Sequence, residues 1–310
     1  MQEQGKIMQI NRRYEPLSRD NAVAEKIARP SISYWKDVWR RFKKNKLALF
    51  GVITISLLAI MAIFGSVISG HNYYSNDLMS ANKPPSAQHW FGTDQLGRDV
   101  FSRVWFGARI SLFIGLAAAI IDLIIGVLLG SAAGYFGGKV DEVIMRIADI
   151  LYGVPYLLVV ILLLVVLPQG LHTIILAMTI TGWVNMARIV RGEVLRLRSE
   201  EYVMAAQTLG ASRFRILFRH LVPNTLGPIL VTLTLTIPSA IFTEAFLSYI
   251  GLGVPAPLAS WGTMSNEGLP AMESYPWQLF IPSFFICITM LAFNSIGDGL
   301  RDALDPKERK

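Results

Sequence analysis

Six stretches of the chain are apolar over the length of a membrane-spanning helix. The hydrocarbon core of a bilayer is about 30 Å thick and takes roughly 20 apolar residues of helix. Backbone polar groups in lipid must bond within their own segment, so each stretch is predicted to be helical. The pattern predicts an all-α membrane protein with six transmembrane helices, at about 47–69, 109–135, 143–167, 171–190, 225–248 and 276–297.

The polar segments around these stretches define the other parts of the chain. Residues 1–46 are predicted to form a cytoplasmic tail that ends in an interfacial helix, because tryptophans alternate there with basic residues. An ordinary solvated helix is the alternative. The first span is predicted to stay as an uncleaved anchor, followed by an extracytoplasmic loop, 70–108. A core, 109–300, holds the other five spans, and 301–310 form a cytoplasmic tail.

Basic residues indicate how the spans are oriented. With the amino terminus inside, cytoplasmic segments hold 25 Lys and Arg residues and extracytoplasmic segments hold 4. This asymmetry follows the positive-inside rule and predicts that both termini are cytoplasmic. The net charge of +7 is therefore a topology signal, and a nucleic-acid partner is not expected.

Glycine and proline positions predict how two spans are built. Gly126, Gly130 and Gly134 recur every four residues in the second span, which lets a neighbouring helix approach closely. Gly153 and Pro155 weaken or remove backbone bonds in the third span, so a kink is expected there.

The residues of an enzyme are missing from the sequence. There is no HExxH, no GxSxG and no pair of cysteines, and Cys287 is interpreted as a buried small hydrophobe. The string "AAGYFGGKV" lacks the first glycine and the Ser or Thr of a phosphate-binding loop. No catalytic residue, no metal and no bound nucleotide are expected in this chain.

Polar residues within the spans are candidates for a translocation pathway. Asp122 in the second span and Glu244 in the fifth have no evident partner in the sequence, and Asn294 lies in the sixth. Buried ionisable groups are costly in a membrane and are functional candidates by default. A proton- or sodium-coupled secondary transporter would also use such residues, so that class is the alternative.

A patterned polar segment, 193–223, separates the fourth and fifth spans. One short helix is predicted to start near Glu200 and to stop at Gly210, where a positive φ turns the chain. Ser212 is predicted to cap a second helix that ends at Pro223. The pattern indicates a docking element at the cytoplasmic surface, with an ordinary interfacial hairpin as the alternative.

The sequence of this segment resembles a known family. "YVMAAQTLGASRFRILFRHLVPN" is similar to the cytoplasmic loop of ABC importer permeases, with Ala205, Ala206, Gly210 and Pro223 at the family positions. Three positions depart from the general pattern: Met204, His220 and Val222. They look like the variant of the oligopeptide and dipeptide branch.

Five further stretches are similar to the C-type permease of peptide importers. They are "FGTDQLGRDVFSRVWFGARISL", "GYFGGKVDEVIMRIADILYGVP", "EAFLSYIGLGVPAP", "WGTM" and "LAFNSIGDGLRDALDP". The resemblance runs from about residue 31 to the end of the chain. It implies a type I ABC importer permease fold in a bacterial inner or plasma membrane.

The resemblance also implies a function and a set of partners. The chain would be a permease subunit that forms half of a peptide pathway in the membrane lipid. It would work with a homologous B-type permease, two ABC ATPase subunits and an extracytoplasmic peptide-binding protein. ATP and Mg would be bound by the ATPase subunits, and this chain would hold no cofactor.

Two groups of residues acquire implied roles. The loop 201–223 would couple the permease to an ATPase subunit through Tyr202, Ala205, Ala206 and Gly210, with Arg213 and Arg215 as polar contacts at the rim. An extracytoplasmic gate, or a docking surface for the binding protein, would include Gly253, Pro255, Pro257 and Trp261.

Overall fold

The computed structural model describes residues 33–305, and the chain divides into two compact units, 1–39 and 40–310. The first unit is described from residue 33 onward. Helix α1 (Tyr34–Phe42) begins in it, at the position of the predicted interfacial helix. Trp35 and Trp39 are exposed on it. The predicted tails lie outside the described residues over 1–32 and 306–310.

The second unit consists of helices that are long and apolar enough to cross a membrane. Within residues 33–305 five helices meet this criterion by length and composition: α2 (Lys46–Ile68), α3 (Val100–Phe136), α6 (Leu171–Arg198), α10 (Leu226–Tyr249) and α12 (Trp277–Leu304). A bent pair, α4 (Gly138–Gly153) and α5 (Tyr156–Val166), gives a sixth when it is counted as one span. The shorter helices of the unit are α7 (Glu201–Thr208), α8 (Arg213–Ile216), α9 (Val222–Asn224) and α11 (Trp261–Gly268), with 3-10 turns at Leu78–Ser80 and Leu269–Ala271. No strand occurs between residues 33 and 305, so the all-α prediction is confirmed.

Two helices extend beyond the predicted spans. Helix α3 begins at Val100 rather than near 109, because Asp99 caps it: Asp99 Oδ2 accepts the Ser102 N–H at 2.8 Å. The segment predicted as the extracytoplasmic loop, 70–108, is therefore a loop only as far as residue 99. Helix α6 continues to Arg198, past the predicted end at 190, so polar helix extends out of the apolar stretch.

The kink predicted in the third span is a complete break. Helices α4 and α5 meet at an angle of 84°. Val154 between them is extended, with φ −97° and ψ 134°, as expected of a residue that precedes a proline. Pro155 has no N–H to continue the first helix, so the chain starts a new one.

The glycine stripe of α3 packs against α6. A Cβ atom added at Gly126 would lie 2.6 Å from Met186 Cβ, and one added at Gly130 would collide with the Ala187 carbonyl oxygen. Gly134 meets the next turn of α6 in the same way. The predicted close approach of a neighbouring helix is confirmed, and that helix belongs to the same chain.

An outer cap is formed by the segment 70–99, the start of α3 and helix α11. Arg103 Nη1 donates to Asp94 Oδ2 at 2.5 Å and to Glu267 Oε2 at 2.7 Å. Arg98 donates to the same two carboxylates, at 2.6 and 2.7 Å. Asp94 and Arg103 are buried, and their ion pairs connect the three segments of the cap.

Two histidines lie together at the base of the outer cap. The rings of His71 and His89 stack at 4.7 Å between centroids. His89 Nδ1 lies 2.9 Å from Oδ1 of Asp99, the residue that caps α3. The pair therefore ties the loop to the start of that helix.

The interpretation of Cys287 as a buried residue is wrong. Its side chain is exposed on α12, of which only 17% of the most apolar window is buried inside the chain. A small apolar group gains nothing from burial in protein when lipid can cover it, because lipid tails are as apolar as a protein core.

Candidate functional site

The segment between α6 and α10 is a helix, a turn and a second helix, as predicted. Helix α7 ends before Gly210, which has φ +78°. Ser212 caps α8 by accepting the Arg215 N–H at 3.4 Å. A π-helical turn, Leu217–Leu221, then leads into α9 and on to α10.

Pro223 does not end the second helix. It lies in the first turn of α9, where a proline is tolerated because the N–H groups of that turn have no partner within the helix. Helix α10 begins only a few residues further on, at Leu226. The second half of the loop is thus nearly continuous with a transmembrane helix.

A buried apolar cluster fixes the loop to the transmembrane helices. Val203 of α7 is fully buried and shares this cluster with Val194 of α6 and Ile229 of α10. Ile216 and Leu221, from the second half of the loop, belong to the same cluster. The loop and both helices therefore share one core, and a close-packed core transmits strain between the elements that form it.

The loop exposes large apolar side chains among exposed polar ones. We call five of them the coupling face, after the role predicted for the loop: Tyr202, Met204, Leu209, Phe214 and Phe218. Leu209 is 87% exposed and Phe214 is 71% exposed. The rings of Phe214 and Phe218 stack at 6.2 Å. Side chains of this kind exposed together on a polar segment are typical of a protein interface.

The residues predicted for coupling lie on or beside this face. All are exposed except Ala206, which is half-buried: Tyr202, Ala205, Ala206, Gly210, Arg213 and Arg215. Partial burial, and secondly the charge of Glu200, raise the pKa of the Tyr202 phenol above its ordinary value, so its hydroxyl stays neutral at physiological pH. The sequence interpretation missed Leu209 and Phe214, although two large apolar residues beside the glycine turn were a signal for them.

Asp122 lines a cavity between the transmembrane helices. The cavity has a volume of about 320 Å³ and lies among α3, α5, α6 and α10. Asp122 is only 6% exposed, and within residues 33–305 its Oδ1 atom has no hydrogen-bond partner. Gly182 of α6 makes room for it, since a Cβ atom there would collide with Asp122 Oδ2.

Glu244 is fully buried away from this cavity. Its carboxylate accepts hydrogen bonds from Ser111 at 3.0 Å and from Ser248 at 2.8 Å. Ser111 in turn accepts the Trp261 N–H at 3.2 Å, so the cluster joins α3 and α10 to the start of α11. This environment is that of a structural junction.

The structure does not bring the three predicted pathway residues together. Asp122 lines the cavity, Glu244 lies in the serine cluster, and Asn294 is exposed on α12. Polarity within a span identifies such residues but does not say on which side of the helix each one lies.

The predicted gate residues also differ in environment. Trp261 is fully buried and donates its indole N–H to the Val104 carbonyl at 2.9 Å, so its side chain lies in the core and not on the surface. Gly253 packs against Ser248, leaving no space for a side chain. Pro255 and Pro257 are exposed and line a small cavity of about 170 Å³.

This fold and the loop between α6 and α10, residues 199–225, which we call the inner loop, define a class of transport protein. Residues 126–310 match the family described as "binding-protein-dependent transport system inner membrane component", and residues 33–85 match the "N-terminal TM domain of oligopeptide transport permease C". The chain belongs to the family of binding-protein-dependent transport system inner membrane components. It is a transport subunit and not an enzyme, and the alternative of an ion-coupled secondary transporter is wrong.

Individual relatives match nearly the whole chain. It is 64% identical to the oligopeptide transport system permease protein OppC of Bacillus subtilis (strain 168), over 96% of this chain and 97% of that protein. It is 58% identical to the dipeptide transport system permease protein DppC of the same organism, over 94% and 91%. For OppC of Escherichia coli (strain K12) the identity is 44%, over 94% and 99%.

Solved structures share the fold. One, described as inward-facing conformations of the MetNI methionine ABC transporter, superposes with a TM-score of 0.54 at 17% identity, covering 66% of this chain and 96% of that one. Another, an amino acid ABC transporter with histidines, has a TM-score of 0.50 at 16% identity, covering 64% and 92%. The predicted fold of an ABC importer permease is confirmed.

Proposed function

We propose that this chain is the C-type permease subunit of an ATP-driven importer of peptides and that it forms half of the translocation pathway. The observation that carries the proposal is the coupling face, a set of exposed large apolar side chains on a loop that shares its core with α6 and α10. The high identity to permeases named for oligopeptide and dipeptide transport supports peptides as the substrate class.

The proposal includes partners that supply what this chain lacks. A homologous B-type permease completes the pathway, two ABC ATPase subunits bind ATP and Mg, and an extracytoplasmic binding protein delivers the peptide. Both termini are cytoplasmic, as the positive-inside rule indicates. The exposed Pro255 and Pro257 are candidates for contact with the binding protein.

The mechanism follows from the shared core of the loop. ATP favours closure of the ATPase subunits, and this shifts the permease between its inward and outward conformations. The coupling face is the surface on which closure acts. The cluster of Val194, Val203 and Ile229 then transmits the displacement to both transmembrane helices.

Substitution of Gly210 tests the coupling role. Gly210→Pro removes the positive φ of the turn and is expected to abolish ATP-dependent uptake of a labelled tripeptide into vesicles that contain the assembled transporter. Ala206→Trp is expected to have the same effect, because Ala206 is half-buried beside the coupling face.

Gly70→Pro is the matched control. Gly70 has φ +69° and no atom within 4 Å of an added Cβ, but it lies after α2, at the start of the outer loop. Its replacement strains the backbone in the same way without touching the inner loop, so uptake should persist. Normal uptake by both inner-loop variants would show that this segment is not the coupling element.

A further inference from the structure

The cavity that contains Asp122 has an unusual balance of hydrogen-bonding groups. Its polar lining consists of one carboxylate and six neutral groups: Tyr156, Asn185, Thr232, Thr236, Ser239 and Thr243. Neither a lysine nor an arginine is among the described residues that line it. Asn185 is the only one of the six neutral groups that is not a hydroxyl.

The aliphatic hydroxyl protons of the lining are already used. Thr236 donates to the Thr232 carbonyl at 2.9 Å, Ser239 donates to the Leu235 carbonyl at 3.1 Å, and Thr243 donates to the Ser239 carbonyl at 2.9 Å. Thr232 likewise donates within its own helix, to Pro228 at 2.8 Å. These side chains therefore offer the cavity their oxygen lone pairs and no proton.

The same arrangement leaves Asp122 without a donor. Its Oδ1 atom is buried and has no partner within the described residues, although several hydroxyl groups line the same cavity. A buried carboxylate without a partner is costly, so such a group in a membrane is either protonated or paired with a charge or a ligand. The carboxylate and the aliphatic hydroxyls of the cavity thus favour a cationic occupant over one that needs donors.

We propose that the cavity between α3, α6 and α10 is a binding site for a cationic group, with Asp122 as its counter-ion. The occupant that the proposed function supplies is the α-ammonium group of the peptide, which has three donors and no acceptor, and to this extent the inference rests on that function. An alkali metal ion offers the same charge. The volume of about 320 Å³ is at the lower end of the range for ligand pockets and suits one end of a peptide.

Gly182 is part of this site because it sets the space next to the carboxylate. Any side chain at Gly182 collides with Asp122, whereas Gly192, on the same helix, has no atom within 4 Å of an added Cβ. Gly182→Ala and Gly192→Ala thus add the same methyl group to α6, inside and outside the site. Glu142→Gln is the control for loss of an exposed carboxylate.

The first measurement is ATP-dependent uptake of trialanine by the reconstituted transporter with its binding protein. Asp122→Asn and Gly182→Ala should each lower uptake at subsaturating peptide by at least about tenfold, the usual size of a lost charge-assisted hydrogen bond. Gly192→Ala and Glu142→Gln should leave it within twofold. Uptake by Asp122→Asn equal to that of the unaltered transporter would overturn the proposal.

The second measurement reports binding without transport. A hydrophobic carbodiimide modifies carboxyl groups within membranes, and mass spectrometry follows its reaction at Asp122 in the assembled transporter. Slower modification with trialanine, but not with N-acetyl-trialanine, identifies the ammonium group as the ligand. Slower modification with sodium or potassium relative to choline identifies an alkali ion.

The two measurements separate the two hypotheses. A transporter that shows no ATP-dependent peptide uptake, but whose Asp122 is protected by one of these cations, contradicts the proposed function and retains the cation site. A transporter that takes up peptide normally, with no protection of Asp122 by any of them, retains the function and overturns the cation site.

Discussion

The outer cap and the inner loop of this permease leave different groups unsatisfied. In the outer cap, the buried charges of Asp94 and Arg103 are paired with each other and with neighbours on the same chain. The inner loop instead exposes Leu209 and Phe214, for which the described part of the chain offers no cover. The carboxylates of the outer cap thus find their cations within one chain, whereas the inner loop leaves large apolar side chains uncovered, as the proposed contact with an ATPase subunit requires.

The largest effect is expected from a charge placed on the coupling face, measured as loss of binding to the ATPase subunits. Leu209→Asp places a carboxylate where an apolar contact is expected and should weaken co-purification with the ATPase subunits by at least about tenfold. Met79→Asp is the control, since Met79 is 90% exposed on the outer segment. If Leu209→Asp retains the ATPase subunits, the exposed apolar side chains of the inner loop are not the surface that binds them.

Breaking the outer cap should destabilise the chain itself. Arg103→Ala removes one of the two cations of buried Asp94 and should cost about 2–3 kcal/mol, the usual size of a lost hydrogen bond to a charged group, because Arg98 still pairs with Asp94. Thermal unfolding of the purified protein, followed by tryptophan fluorescence, measures the change.

Arg196→Ala is the matched control for Arg103→Ala. Arg196 pairs with Glu193 on the inner side, but its side chain is 60% exposed, so its loss should change stability by less than about 1 kcal/mol. Equal unfolding temperatures for the two variants would mean that the outer ion pairs do not hold the cap together.

A smaller loss of unfolding free energy is expected from overpacking the contact between α3 and α6. Gly130→Ala forces a methyl group against the Ala187 carbonyl oxygen, and overpacking of this kind costs about 1–3 kcal/mol. Gly192→Ala, which meets no atom, should leave stability unchanged or raise it slightly. The same unfolding measurement applies, and no difference between the two variants would contradict the close packing.

The sequence predicts most of the fold because lipid imposes simple rules on it. Span length, the break at Pro155 and the glycine stripe all follow from constraints that act on one helix at a time. The start of α3 differs from the hydropathy prediction because Asp99 extends the helix beyond the apolar stretch, and hydropathy does not detect a cap.

The sites are harder to predict because they depend on contacts between distant segments. Trp261 has the sequence context of a loop residue, but its indole donates to Val104, far away in the chain. Glu244 and Asp122 are both acids within spans, yet serines satisfy the first while the second faces a cavity. Only the arrangement of helices distinguishes these two environments.

The glycine stripe has a mechanical consequence for the whole permease. The glycines let α3 and α6 pack with few flexible side chains between them, so we expect the two helices to move together as one rigid body. Both Val194, which packs against the inner loop, and Gly182, which lies beside Asp122, belong to α6. A displacement of the inner loop would then be transmitted through α6 to the cavity at Asp122.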